Sequence, residues 1–253
     1  MELIKIGALR EAFASASESR VRELIALYEK DEREGVQKLL ESQRKKLEKL
    51  SAERERLEKM RVYEHQYRHL GLVCGIDEAG RGPLAGPVCA AAVILPKETV
   101  IEGLNDSKKL SEKKREQLYD VICETAVSYA ISFATVAEIE ELNILHATQL
   151  AMIRAINELD PVPDLALIDG NQAGDIKFPH ETVIKGDASC VSIAAASILA
   201  KVTRDRFMVE MAEQYPNYHF EKHKGYGTKD HYNALREFGP CPIHRPSFLK
   251  KIH

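Results

Sequence analysis

The chain has 253 residues, room for one large domain or a medium domain with an appendage, and its 44% hydrophobic content suits a sizeable core. The formal charge is only −3, so no general affinity for nucleic acid or membrane follows from the total. Five scattered cysteines with no C-x-x-C pair exclude a disulfide framework or a zinc knuckle, and no stretch approaches a membrane-spanning length, so a soluble protein of the cytoplasm is expected.

Residues 1–70 carry 16 Lys+Arg and 14 Asp+Glu with almost no strand signal, and read as a helical N-terminal extension. Ala12-Phe13-Ala14-Ser15-Ala16 resembles a signal-peptidase site, but Glu2, Lys5, Arg10 and Glu11 leave no apolar run before it. Val21, Leu24, Ile25 and Tyr28 share one helical face, and Gly35 is expected to break the pattern. Leu40, Leu47, Leu50 and Leu57 recur at heptad-like intervals. Gln43, Arg54 and Arg61 at the other seam positions favour a packed helical appendage over a zipper.

From residue 71 to 253 the pattern is strand-rich. Strands are expected at Leu72 to Ile76 and Val88 to Leu95, joined by a Gly/Pro loop, and at Val127 to Val136. A long helix follows from about Ala137 to Leu159 and stops before Asp160-Pro161-Val162-Pro163. Short buried strands at Leu165 to Ile168 and Thr182 to Ile184 come next. The helix from Ser189 to about Tyr215 opens with Ala, Ser and Ile, small enough to lie close on a sheet. Thr228 caps a final helix to Phe238, closed by Gly239-Pro240.

Three strand ends deliver carboxylates: Asp77-Glu78, Asp169 and Asp187. Any one of these acids is commonly a turn former. Four gathered at one point are costly unless cations neutralise them, and oxygen-only donors select hard ions such as Mg²⁺ or Mn²⁺. The acid pair runs into Ala79-Gly80-Arg81-Gly82-Pro83, where glycines let backbone N–H groups approach a ligand and prolines stiffen the loop. Lys222, His223, Lys224 and Lys229 around Tyr226 read as a phosphate-facing patch. His219 and His223 lack a third zinc ligand, and Lys201 with Asp205 reads as an i, i+4 pair.

Gly75-Ile76-Asp77-Glu78-Ala79-Gly80-Arg81-Gly82-Pro83-Leu84-Ala85-Gly86-Pro87-Val88 resembles the signature of bacterial ribonuclease HII. The resemblance continues through Asp106-Ser107-Lys108-Lys109-Leu110-Ser111, Asp169-Gly170, Lys185-Gly186-Asp187-Ala188 and Ser192 to Asp205. Gly225-Tyr226-Gly227-Thr228 and His244-Arg245-Pro246-Ser247-Phe248 complete it. It implies an α/β ribonuclease H-like fold: a mixed five-stranded sheet in order 3-2-1-4-5, flanked by helices, with an α-helical N-terminal extension and C-terminal helices. It also implies cleavage 5′ to a ribonucleotide, in RNA–DNA hybrids or at a single ribonucleotide in duplex DNA, leaving 3′-hydroxyl and 5′-phosphate ends.

By that resemblance Asp77, Glu78, Asp169 and Asp187 are the catalytic acids and hold two Mg²⁺ or Mn²⁺ ions. Gly80, Arg81 and Gly82 contact the 2′-hydroxyl and nearby phosphates, and Tyr226 stacks on the sugar of the following deoxyribonucleotide. Ser107 and Lys108 are expected to open a helix beside the substrate and contact phosphate. The expected partners are hybrid and ribonucleotide-containing duplex, met by a monomer without a membrane; the sequence names no protein partner. A ribonuclease HIII-like nuclease is the nearest alternative, although that family carries Ser-Gly-Thr-Gly-Asp where this chain has Ala-Gly-Arg-Gly-Pro. A non-catalytic hybrid-binding module is another, opposed by the intact acid quartet.

Overall fold

The computed structural model describes residues 4–171 and 173–250. The chain forms two compact units, Met1–Arg56 and Leu57–His253. This division precedes the composition shift at residue 70. Leu57 and Met60 already pack into a core of the second unit, and Tyr63 and Tyr67 pack against the cluster of Leu165, Leu167 and Val183.

In the first unit, α1 (Ile6–Ala14), α2 (Glu18–Leu27) and the start of α3 (Glu34–Lys59) enclose Leu9, Phe13, Val21, Leu24, Ile25, Val36 and Leu40. Ser17 caps α2 by accepting the Arg20 N–H. Gly35 does not break a helix. It is the second residue of α3, where an added Cβ would stand 2.8 Å from the Ile6 side chain, so its need is for space. The interruption falls earlier, between Tyr28 and Arg33. Of the heptad-like leucines, Leu40 and Leu57 are buried, while Leu47 and Leu50 are part-exposed.

The second unit takes in the last turn of α3 and then α4 (Val62–Tyr67). Its sheet contains β1 (Val73–Ala79), β2 (Val88–Ile94), β3 (Ser128–Ala134), β4 (Leu165–Asp169) and β5 (His180–Val183), in the order β3-β2-β1-β4-β5. β1–β2 and β2–β3 are antiparallel, whereas β1–β4 and β4–β5 are parallel. This is the order the resemblance implied. Alternation along β2 sends Val88, Ala90, Ala92 and Ile94 to one face and Cys89, Ala91 and Val93 to the other, with a buried core on each side.

Helix α5 (Glu112–Thr125) precedes β3, and α6 (Val136–Asn157) follows it. The expected continuous helix is broken inside α6. Asn143 takes φ 69° and ψ 166°, and its Oδ1 accepts the N–H groups of Leu145 and His146, so a side-chain cap restarts the helix. After β5 come a single turn, α7 (Gly186–Ser189), and the long α8 (Val191–Gln214). Its small residues Ala194, Ala195, Ala196 and Ala200 are wholly buried. On β1 a Cβ at Gly75 would sit 2.1 Å from the Ser192 backbone, so only glycine lets α8 lie this close to the sheet. The tail adds α9 (Phe220–His223), α10 (Lys229–Phe238, capped by Thr228) and α11 (Pro246–Leu249) around Phe220, Met208, Met211 and Leu235. Among the described residues no helix is long and apolar enough to cross a membrane.

Candidate active site

Sheet register brings the first two acids together. β1 and β4 run parallel with Ile76 opposite Ile168, so Asp77 and Asp169, the next residue on each strand, arrive side by side. β1 does not end at Ile76 as expected; its ladder continues through Asp77↔Ala91, Glu78↔Ala90 and Ala79↔Cys89. Asp77 and Glu78 are therefore fixed by strand hydrogen bonds and point to opposite faces. Asp187 comes from the turn after β5, where Lys185 adopts φ 56° and the Gly186 N–H donates to Asp169 Oδ1 at 2.6 Å.

Asp77 is 6% and Asp187 8% exposed. Burial, reinforced by the charges of Glu78 and Asp169, pushes the Asp77 carboxyl well above the usual carboxylate range. Glu78 is also raised, by burial, with Arg81 working against the shift. Asp187 is raised by burial and by the neighbouring Asp106 and Asp169. Arg81, whose partner is not evident from sequence, stands with Nη1 3.5 Å from Glu78 Oε1. Lys108 Nζ stands 3.9 Å from Asp187 Oδ2 and is otherwise open to solvent.

Among the described residues no group of three His, Cys, Asp or Glu side chains is set to hold a metal ion. Three of the four acids are turned toward donors of their own: Asp77 Oδ1 accepts the Glu78 N–H at 2.7 Å, Asp169 accepts Gly186, and Glu78 faces Arg81. The donor chemistry nevertheless fits hard divalent ions. The donors are all oxygen, largely buried, and mutually repelled in a way that a bound cation relieves.

Three expected site residues stand differently from the expectation. Ser107 is 4% exposed, and its hydroxyl lies 2.8 Å from that of Ser197, which itself hydrogen-bonds Asp77. Its hydroxyl is thus engaged inside the protein, on a chain of hydroxyls that leads to Asp77. Ser107 to Lys109 form one 3₁₀ turn held by Asp106, and the α-helix that follows, α5, is capped separately by Ser111. His223 leaves the proposed basic patch altogether. Its ring is buried, bonded to the Tyr218 carbonyl at 2.9 Å and stacked on His231 at 4.5 Å between centroids. Lys222 and Lys229 remain exposed.

Tyr226 is 42% exposed beside the glycine loop. A Cβ at Gly82 would lie 4.0 Å from its ring, and the Lys201 ammonium and Arg204 guanidinium stand 5.8 and 5.9 Å from its centroid. The Leu84 N–H donates to the Gly225 carbonyl at 2.9 Å, tying the two loops together. Beneath them, His231 Nδ1 donates to the Tyr226 carbonyl, and His231 Nε2 faces His244 Nε2 at 2.9 Å. Burial and the neighbouring His231 push His244 down to about 4, so this relay is neutral at physiological pH.

Sequence reasoning missed Asp106, Ser197, Arg204 and Arg245 as parts of the site. For Arg204 a signal existed: it lies four residues after Ala200 and four before Met208, on the buried face of α8. Both arginines are fully buried and bond the carbonyls of the glycine loop.

A family model described as ribonuclease HII matches residues 74–251, and one described as ribonuclease HII N-terminal domain matches residues 5–68. The chain is 56% identical to a ribonuclease HII of Lachnoclostridium phytofermentans over 225 residues, 89% of each chain. It is 48% identical to one of Clostridioides difficile over 252 residues, 98% of each. Among solved structures, ribonuclease H2 from Pyrococcus horikoshii superposes with a TM-score of 0.61 at 25% identity, covering 72% of this chain and 96% of that one.

Proposed function

The chain belongs to the ribonuclease HII family, and from that premise we propose that it cuts the phosphodiester 5′ to a ribonucleotide, including a single one within duplex DNA. Its class is that of a metal-dependent endonuclease, ribonuclease H type II. The observation that carries the finer reading is the register of β1 on β4, which sets Asp77 beside Asp169 with Glu78 and Asp187 raised in the same neighbourhood.

Asp77, Glu78, Asp169 and Asp187 would hold Mg²⁺ or Mn²⁺. Two such ions, when bound, activate a water and neutralise the leaving oxygen, giving 3′-hydroxyl and 5′-phosphate ends. The chain's own groups do the rest. Lys108, beside Asp187 and open to solvent, offers positive charge to a phosphate flanking the cut. Ser107 and Ser197 hold Asp77 in its rotamer from behind. Gly80, Arg81 and Gly82 present backbone toward the ribonucleotide's 2′-hydroxyl, the one group that separates it from its neighbours. The exposed Tyr226 ring stacks on the following deoxyribose, where a second hydroxyl would be crowded. We place the enzyme in the cytoplasm, a reading supported by its five free cysteines, and carry it as a monomer.

The test is a duplex carrying one ribonucleotide, incubated with Mg²⁺ or Mn²⁺. Cleavage on its 5′ side, lost in Asp169→Asn with the fold retained, is the expected result. Correctly folded protein that leaves this duplex intact with either ion refutes the single-ribonucleotide reading.

A further inference from the structure

The glycine loop is held by its carbonyls, and two arginines hold nearly all of them. Arg245 donates from Nη2 to Gly80 O at 2.6 Å, from Nη1 to Arg81 O and Pro83 O at 2.9 Å each, and from Nε to Gly86 O at 2.8 Å. Its backbone N–H takes Leu84 O at 2.9 Å. Arg204 donates from Nη2 to Ala85 O and from Nε to Pro87 O, both at 3.0 Å. Between Gly80 and Pro87 only the Gly82 carbonyl has no donor among the described residues.

In a planar trans peptide the carbonyl of one residue and the N–H of the next point in opposite directions. Drawing the carbonyls of Gly80 and Arg81 inward therefore turns the N–H groups of Arg81 and Gly82 outward. Neither has an acceptor among the described residues. Elsewhere in the loop, Pro83 and Pro87 have no N–H, and Leu84 and Gly86 donate to Gly225 O and Ile243 O.

Both guanidiniums are fully buried, and neither forms an ion pair with a carboxylate among the described residues. Burial and the nearby Arg204 charge push Arg245 down to about 9. Burying unpaired cations is expensive, and apolar side chains of similar volume commonly serve a core as well or better. What an apolar side chain cannot supply is a rigid fork of donors in fixed directions.

We propose that Arg245, seconded by Arg204, is the positioning residue of the ribonucleotide-reading loop: it holds the loop's carbonyls inward so that the Arg81 and Gly82 N–H groups face the 2′-hydroxyl. The inference rests on the reading of that loop given above.

The probe is a pair of duplexes identical but for one ribonucleotide, with binding to the full chain measured in EDTA so that neither is cut. Two hydrogen bonds to one hydroxyl give the wild type a preference for the ribonucleotide duplex on the order of 10-fold. Arg245→Lys keeps the charge but cannot span four carbonyls, and is expected to bind both duplexes within about 2-fold of each other. Arg245→Ala is expected to lose the preference and regain it with millimolar guanidinium, but not with methylammonium. A folded Arg245→Lys or Arg245→Ala that keeps the wild-type preference overturns the proposal. Wild-type protein with no preference overturns the loop reading itself, and the proposal with it. Should both variants unfold, amide exchange of the wild type decides. Arg81 and Gly82 amides exchange freely without nucleic acid and slow only with the ribonucleotide duplex; protection already present in the unbound protein overturns the proposal.

Discussion

Asp77→Asn should make the metal-free protein more stable and leave it inactive. Asp77 is 6% exposed, with the charges of Glu78 and Asp169 acting on it. One like-charge contact at about 5 Å in an effective dielectric near 20 costs about 3 kcal/mol. Asparagine removes that repulsion and can still accept the Glu78 N–H, although through a weaker, uncharged bond, so a net gain of about 1–2 kcal/mol remains. In a domain of this size that raises the melting midpoint by roughly 2–8 °C. The gain depends on pH. A carboxyl raised in the folded state binds its proton more tightly there than in the unfolded chain, so wild-type stability falls as pH rises from the ordinary carboxylate range through the raised one. Asparagine does not titrate, so its advantage is absent near pH 4 and largest near pH 8. Thermal unfolding in EDTA at both pH values measures this, and adding Mg²⁺ should raise the wild-type midpoint at pH 8 while barely moving the variant's. A variant less stable than wild type at pH 8, or one with an undiminished Mg²⁺ shift, would refute the assignment of Asp77 to a strained cation site.

Two further outcomes follow from single contacts. Arg81→Gln removes the guanidinium that opposes the rise of the Glu78 carboxyl, so Glu78 stays protonated to higher pH and the acidic limb of the pH–rate profile moves upward. The fractional loss of kcat/KM at pH 6 should exceed that at pH 9 several-fold, up to about tenfold; equal losses would remove Arg81 from the electrostatics of Glu78. Glu64 Oε1 accepts the Ser192 N–H at 2.9 Å, the Ser192 hydroxyl at 2.7 Å and the Cys190 thiol at 3.0 Å, fastening α4 to the start of α8. Its other oxygen is buried without a partner among the described residues. Glu64→Ala should cost about 1–3 kcal/mol in denaturant unfolding, whereas Glu64→Gln, which keeps an acceptor there, should cost much less. Equal costs would mean that packing and not acceptance sets the role of Glu64.

The fold was legible wherever a local period decided it. Short apolar runs bounded by Gly and Pro located the strands, and small residues on α8 announced close packing on the sheet. Pairing is another matter, because periodicity says that a strand exists and not which strand lies beside it. The adjacency of Asp77 and Asp169 reached the sequence reading only through family resemblance, and here it stands on Ile76 opposite Ile168. Local patterns failed where a side chain served an unusual backbone. Asn143 caps its own helix interior, and His223 looked solvent-facing between two lysines. The left-handed residues His219 and Lys224 bracket one short turn that sends Phe220 and His223 inward. Ser107 was assigned to the substrate by its hydroxyl, yet the 3₁₀ turn buries it against Ser197.

Arg204 and Arg245 escaped for a deeper reason. Hydropathy counts an arginine as surface, and it surfaces unless something inside can accept its donors. Here the acceptors are the carbonyls of a loop more than a hundred residues earlier in the chain, a demand visible only after folding. The loop thus begins at a knot of buried acids and rests on a knot of buried cations. The two do not neutralise one another, because backbone carbonyls, not carboxylates, occupy the guanidiniums. Each knot destabilises the free protein in the manner expected of groups kept for function. On the function proposed above a divalent ion answers the first, whereas the second is already met inside the protein, where loop carbonyls take the donors of both wholly buried guanidiniums.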